Sequence, residues 1–263
     1  MKKNIEQEKA IAQLEGPVIL ISCPGSGKTT TLLRRINHML EVGIPPKKIL
    51  MITFTKAAAQ EMSVKFKKKF GEPNGITFST IHALCLKILM TYGGLSAENI
   101  IKTSDQWKFL LETARKCQSV CDPAKAAGNF QMLYSAAMNN RMSPSEVNPK
   151  DIKGISRKDF LFMSEEYRRM KERTGYIDFD DMLVKAYELM TGNLQVLRQL
   201  RERWDYIQVD EYQDVNYLQR DLVYLLAGEK KNLCVAGDDD QSIYRFRGAR
   251  PEIMLNFPKD FPQ

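Results

Sequence analysis

The chain has 263 residues, 43% hydrophobic and 27% charged, with a formal net charge of +7 at pH 7. These proportions exclude a disordered, collagenous or fibrous protein, and the length suits one large domain or two unequal ones. The longest aliphatic run, residues 18–21, falls far short of the ~20 apolar residues of a membrane helix, and Glu6 and Glu8 interrupt a signal-peptide reading of the N-terminus. The expectation is a soluble, cytoplasmic protein with no membrane partner. Cysteines at 23, 85, 117, 121 and 234 have neither disulfide-framework density nor zinc-ligand spacing, which suits a reducing compartment. Only Cys117 and Cys121 lie close together, and helix packing explains them better than a metal.

Charge is uneven along the chain: +7 over residues 1–85, +5 over 86–175 and −5 over 176–263. The basic stretches imply a polyanionic partner such as nucleic acid, although solvated helix faces give the same totals. The C-terminal acids Asp210, Glu211, Asp238, Asp239 and Asp240 point to divalent-cation chemistry, Mg²⁺ first.

In chain order, residues 18–22 read as a short buried strand. A helix follows, with Leu32, Leu33, Ile36, Met39 and Leu40 on one face, closed by Gly43 and the Pro45-Pro46 turn. A second buried strand covers 49–53, so strand, helix and strand form a right-handed parallel unit. Residues 86–175 carry helix formers and amphipathic runs at 106–117 and 160–174, with turns at Asp122-Pro123 and Ser143-Pro144 and no strand pattern. Buried strands return at 206–209 and 232–236. The predicted architecture is an α/β parallel sheet interrupted by a helical insertion.

Ser22-Cys23-Pro24-Gly25-Ser26-Gly27-Lys28-Thr29 joins the first strand to the first long helix, the context a phosphate-binding Walker A loop requires. Gly25 and Gly27 let backbone N–H groups and the helix N-terminus face phosphate oxygens, Lys28 reaches the β and γ phosphates, and the Thr29 hydroxyl can ligate Mg²⁺. Ser22 stands where the short pattern asks for glycine.

Asp210-Glu211 follows the strand at 206–209 and so lies at the carboxyl edge of the sheet, where ligands bind in open α/β folds. In this Walker B arrangement Asp210 serves the Mg²⁺ shell and Glu211 deprotonates a water that attacks the γ phosphate, which favours hydrolysis over kinase chemistry. After the strand at 232–236, Gly237 to Ala249 is a polar loop passing into aromatics and arginines. Gln241 can sense the γ phosphate by hydrogen bonding, and Tyr244 and Phe246 offer faces for base stacking, or pack in the core.

Taken together, these motifs resemble the N-terminal motor region of UvrD/Rep/PcrA-type superfamily 1 DNA helicases. Asn4-Ile5-Glu6-Gln7 resembles the family's Q motif, which implies Gln7 as the adenine reader. Ile52-Thr53-Phe54-Thr55-Lys56-Ala57-Ala58-Ala59 resembles the DNA-contacting motif Ia, and the stretch 77–89 with Thr80-Ile81-His82 resembles motif Ib. Asp178-Phe179-Asp180-Asp181-Met182-Leu183 is similar to the segment returning from the helical insertion. Its aspartates read as a helix N-cap rather than a second metal site. Val209-Asp210-Glu211-Tyr212-Gln213-Asp214, with Asn216 and Gln219, resembles motif II, and residues 237–249 resemble motif III.

The resemblance implies a RecA-like P-loop fold with helices on both faces of the sheet. It places a first RecA-like part at 1–88, a helical subdomain at 89–175 and a second RecA-like part at 176–263. ATP and Mg²⁺ are the implied cofactors, and single-stranded DNA or a single-strand/duplex junction the partner. Phe54, Thr55, His82, Tyr244, Phe246 and Arg247 are the implied DNA contacts. His82 reads equally as a polar helix-start residue, and the lysines at 65–69 as a solvated helix end or an auxiliary DNA contact. Thr30 stands where many relatives place a base-packing arginine. The family continues into a second RecA-like domain that supplies γ-phosphate arginines, and an arginine finger is worth roughly 10³ to 10⁵ in turnover. A chain ending at Gln263 is therefore expected to bind ATP and hydrolyse it poorly, as part of a longer helicase moving 3′ to 5′. A stand-alone nucleotide-dependent DNA-binding module and the ATPase half of an AddA/RecB-like helicase-nuclease are the alternatives.

Overall fold

The computed structural model describes residues 5–23, 25–148, 150, 152, 154–238 and 250–262. In these residues, strands β1 (Val18–Ile21), β2 (Ile49–Thr53), β3 (Thr77–Thr80), β4 (Tyr206–Val209) and β5 (Leu233–Gly237) form one sheet in the order β1-β5-β4-β2-β3. Every pairing is parallel, with Val18 opposite Cys234, Ile207 opposite Leu233, Ile49 opposite Tyr206 and Leu50 opposite Thr77. All five carboxyl ends therefore point to one edge. Parallel strands need crossover connections, which here are helices.

Alternation along the strands separates two cores. Ile49 and Met51 of β2 and Cys234 and Ala236 of β5 face α2 (Lys28–Glu41) and α3 (Lys56–Phe70), where they meet Leu32, Ile36, Met62 and Phe66. Leu50, Ile52, Leu233 and Val235 face the opposite side. There they pack with α4 (Ile81–Tyr92), α8 (Phe179–Gly192), α9 (Leu194–Arg203), α10 (Tyr217–Ala227) and α11 (Pro251–Asp260). The sheet is thus covered on both faces, which is why β2 is buried at every position and reads as a continuous apolar run.

Between β3 and β4 the described residues are helical, with α5 (Thr103–Arg115), α6 (Pro123–Asn139) and α7 (Arg157–Thr174) between α4 and α8. These three helices build their own core from Leu110, Ala127, Phe130, Tyr134, Phe160 and Tyr167. The chain enters and leaves them side by side: Ile101 N–H donates to Ile177 O at 2.9 Å and Ile177 N–H to Asn99 O at 2.8 Å. At the exit, Lys171 is buried between Asp178 (3.1 Å) and Asp181 (2.8 Å) and lies over the Tyr167 ring. Among the described residues, no helix is long and apolar enough to cross a membrane.

Local start signals set the helix ends. Thr55 and Thr80 cap α3 and α4 by accepting from Ala58 and Ala83 N–H, and Asp178 and Asp181 form a reciprocal capping box at α8. The strand β3 is a departure from the sequence reading. Its four half-buried residues, Thr-Phe-Ser-Thr, lack an apolar run, and pairing with β2 at the sheet edge makes it a strand. The helix read at 106–117 starts earlier, at Thr103, and stops at Arg115. Cys117 sits just after it, buried, with its thiol on Thr113 O, whereas Cys121 is exposed.

Candidate functional site

The loop from β1 to α2 turns on two glycines in the left-handed region, Gly25 (φ 72°) and Gly27 (φ 93°). Ser22 takes the place of the expected glycine without disturbing the turn: its N–H donates to Gly237 O at 3.2 Å and its Oγ accepts from Ser26 Oγ at 2.9 Å. Lys28 Nζ donates to Ser22 O at 3.0 Å and lies 3.6 Å from Asp238 Oδ2 at the end of β5. Cys23 and Thr30 are exposed, and Pro24 lies outside the described residues. Helix α1 (Ile5–Ala12) brings Gln7 to the loop, where its Nε2 donates to Ser26 O at 2.8 Å.

Thr29 Oγ1 donates to Asp210 Oδ2 at 3.1 Å, joining positions 181 apart in sequence. Burial raises the Asp210 carboxyl to about 6, and the neighbouring Glu211 adds to the shift. No group of three or more His, Cys, Asp or Glu among the described residues forms a metal cluster. A cation here would draw on the Thr29 hydroxyl, one carboxylate and its ligand's own oxygens, as Mg²⁺ in phosphate sites does.

Glu211 has φ 53° and ψ 44°, left-handed values uncommon for a residue with a side chain. Gln213 holds it: Gln213 Nε2 donates to Glu211 Oε2 at 2.7 Å, while Gln213 Oε1 accepts from Asp238 N–H at 3.0 Å. One amide thus ties the ends of β4 and β5 together behind the loop. Sequence reasoning placed Gln213 inside a motif without giving it this task. Its position two residues past the acidic pair is the signal that could have found it.

Two cavities open at the carboxyl edge of the sheet. One of about 320 Å³ is lined by Thr29, Thr55, Lys65, Asp210, Glu211 and Gln213. The other, of about 540 Å³, lies between the sheet edge and α6, with His82, Gln131, Asn139, Phe179 and Asp180 on its walls. Phe54, half-buried after β2, lines both, as do Asp210 and Glu211. His82 is the second residue of α4, edge-on to Phe179 at 6.1 Å, and burial lowers its pKa to about 4. It is therefore neutral at pH 7 and offers hydrogen bonds rather than charge. Thr55 spends its hydroxyl on the α3 cap. Asp178 is the α8 cap, and Asp180 accepts from Ser135 Oγ and Asn139 Nδ2, each at 2.9 Å. Lys65 and Lys67 pair with Glu61 and Glu72 at the solvated end of α3. The sequence-predicted residues Gln241, Tyr244, Phe246 and Arg247 lie outside the described residues.

The model of the UvrD/REP helicase N-terminal domain family matches residues 3–262. The chain is 35% identical over 268 residues to YjcD of Bacillus subtilis, an alignment covering 98% of this chain and 35% of that protein. It is 35% identical over 266 residues to the ATP-dependent DNA helicase PcrA of Staphylococcus aureus, covering 99% of this chain and 36% of PcrA. PcrA of Staphylococcus epidermidis is 34% identical over 266 residues, with the same coverage. The chain thus spans about a third of the length of the curated relatives it matches.

Proposed function

Since the chain belongs to the UvrD/REP helicase N-terminal domain family, we propose that it is the ATP-binding part of an ATP-dependent DNA helicase that moves 3′ to 5′ on single strands. The observation that carries this reading is the Thr29–Asp210 contact at 3.1 Å, with Lys28 beside it and Glu211 next in sequence. A hydroxyl and a carboxylate that close under a phosphate loop suit a nucleotide–Mg²⁺ pair better than any other ligand.

Residues 22–29, with Thr30 beside them, cradle the triphosphate, and Gln7 meets the adenine edge. Thr29 and Asp210 would hold Mg²⁺, which when bound neutralises phosphate charge. Glu211, its carboxylate oriented by Gln213, takes the proton of the attacking water, and Gln241 senses the γ phosphate. Single-stranded DNA runs across the carboxyl edge, where Phe54 stacks on bases, and Tyr244 and Phe246 are the further stacking residues of the track. The exposed start of α3 at Thr55, neutral His82 and Arg247 meet the backbone. Residues 1–88 and 176–263 make the RecA-like part and 89–175 the helical subdomain over the DNA. A second RecA-like domain completes the working motor and supplies γ-phosphate arginines, so these 263 residues alone turn over slowly.

Single-turnover hydrolysis and anisotropy of a labelled single-stranded oligonucleotide test this. Glu211→Gln is expected to bind ATP like the parent and hydrolyse it at least about 100-fold more slowly. Phe54→Ala is expected to weaken oligonucleotide binding without changing ATP affinity. Parent-like hydrolysis by Glu211→Gln would remove the base assignment, and parent-like DNA binding by Phe54→Ala would remove the stacking role.

A further inference from the structure

Helix α1 is seated by a buried arginine. Arg35 on α2 is 1% exposed, and its guanidinium donates to the carbonyls of Ala10, Gln13 and Leu14, the last at 3.1 Å. Among the described residues it forms no ion pair, and its Nε has no partner. Burying a guanidinium is costly unless polar groups meet it. Here they are Ala10 O in the last turn of α1, where the helix dipole is negative, and Gln13 O and Leu14 O in the segment just past it. A side chain kept only to fill the core would not need this charge. Next to it, Arg34 Nη2 pairs with Glu8 Oε1 at 2.8 Å, so α2 grips α1 at consecutive positions.

The same helix carries Gln7 in its first turn. Gln7 Nε2 reaches Ser26 O at 2.8 Å and stands 3.7 Å from where a Cβ on Gly27 would lie. Gln7 and Ala10 are three positions apart, a rise of about 4.5 Å, so any shift of the seated end moves Gln7. Thr30, exposed at the start of α2, offers no flat or charged surface to a base.

We infer that Arg35 is a positioning residue for nucleobase recognition: by seating α1 it holds Gln7 at the lip of the phosphate loop, so base selectivity depends on a side chain that never touches the nucleotide. The inference rests on the reading of that loop as a nucleotide site. A site that hydrogen-bonds a base edge discriminates only while its donors and acceptors stay in register. Lys28 starts α2 and the loop amides run between β1 and α2, so among the described residues phosphate binding depends on α1 only through the Gln7–Ser26 O hydrogen bond.

Calorimetric titration with Mg²⁺–ATP, Mg²⁺–GTP and inorganic tripolyphosphate tests it. The parent is expected to prefer ATP to GTP by about tenfold or more. Arg35→Met should bring that ratio below about threefold while tripolyphosphate affinity stays within about twofold. Arg35→Lys, which keeps a charge and three donors, should retain part of the preference. Equal weakening of all three ligands by Arg35→Met, or an unchanged ratio, would overturn the inference. A parent that binds tripolyphosphate without preferring ATP would also overturn it and leave the phosphate reading standing. A parent that binds none of the three would overturn the nucleotide reading itself and this inference with it. If Arg35→Met does not fold, Gln7→Ala and Arg34→Ala carry the test. Gln7→Ala should abolish the preference and Arg34→Ala reduce it, and an unchanged ratio in both would overturn the inference.

Discussion

Gly237 ends β5 at a point where a Cβ would come within 2.6 Å of Gln213 Oε1 and 2.7 Å of Met254 Sδ. The absence of a side chain lets Gln213 reach both Glu211 and the Asp238 amide. Gly237→Ala is expected to destabilise the chain by about 1–3 kcal/mol, as overpacking does. Denaturant unfolding reads that loss, and an unchanged midpoint would mean the neighbours give way freely. Asp180 shows what burial does to a carboxyl: desolvation, reinforced by Asp178 and then Asp181, raises it to about 6, against the hydrogen bonds from Ser135 and Asn139. Lys171 on α7 is the cation facing this group of acids. Because the folded pKa lies above the unfolded one, the stability this group contributes is present below about pH 4 and lost as pH rises through about 6. Asp180→Asn keeps an acceptor but cannot ionise. It should therefore gain stability relative to the parent, by about 1–3 kcal/mol, between pH 4 and pH 7, and no further above that. A pH-independent difference would contradict the assignment.

At the scale of elements, α7 and α8 are joined by Lys171, which is 9% exposed and faces Asp178 and Asp181. Lys171→Met would leave two carboxylates near each other without their cation, and should cost about 3–5 kcal/mol in unfolding free energy. Loss of less than about 1 kcal/mol would show that solvent already serves these acids. How much of this was legible in the sequence follows from the kind of signal each element carries. β2, β4 and the phosphate loop were readable because burial on both faces enforces an apolar run and because glycines mark left-handed turns. The helix N-caps Thr55 and Asp178 were within reach for the same local reason, though only Asp178 was read as one. β3 was not, since its polar residues become a strand only through the β2 ladder. Gln213 stood in a motif with its partner across the sheet unread, and Arg35 was silent as well. Their partners, Asp238 and the end of α1, lie 25 and 21 or more residues away, and contacts between separate elements leave no periodicity.

At the scale of the whole molecule, among the described residues the parallel sheet gathers the candidate site residues that follow its strands onto one edge: Lys28 after β1, Phe54 after β2, His82 after β3, Asp210 after β4 and Asp238 after β5. The two cavities there share Phe54, Asp210 and Glu211, so one residue proposed for DNA and two proposed for the nucleotide–Mg²⁺ pair line both of them. Under the proposed function, that shared wall is where nucleotide state is passed to the DNA track. All of it depends on the loop of residues 22–29 binding a triphosphate. The most direct test is calorimetric titration of Mg²⁺–ATP into the chain and into Lys28→Ala. The proposed function predicts saturation at one nucleotide per chain and an affinity at least about tenfold weaker, some 1.4 kcal/mol, in Lys28→Ala. Absence of binding to the parent, or equal affinity in the two proteins, would contradict it.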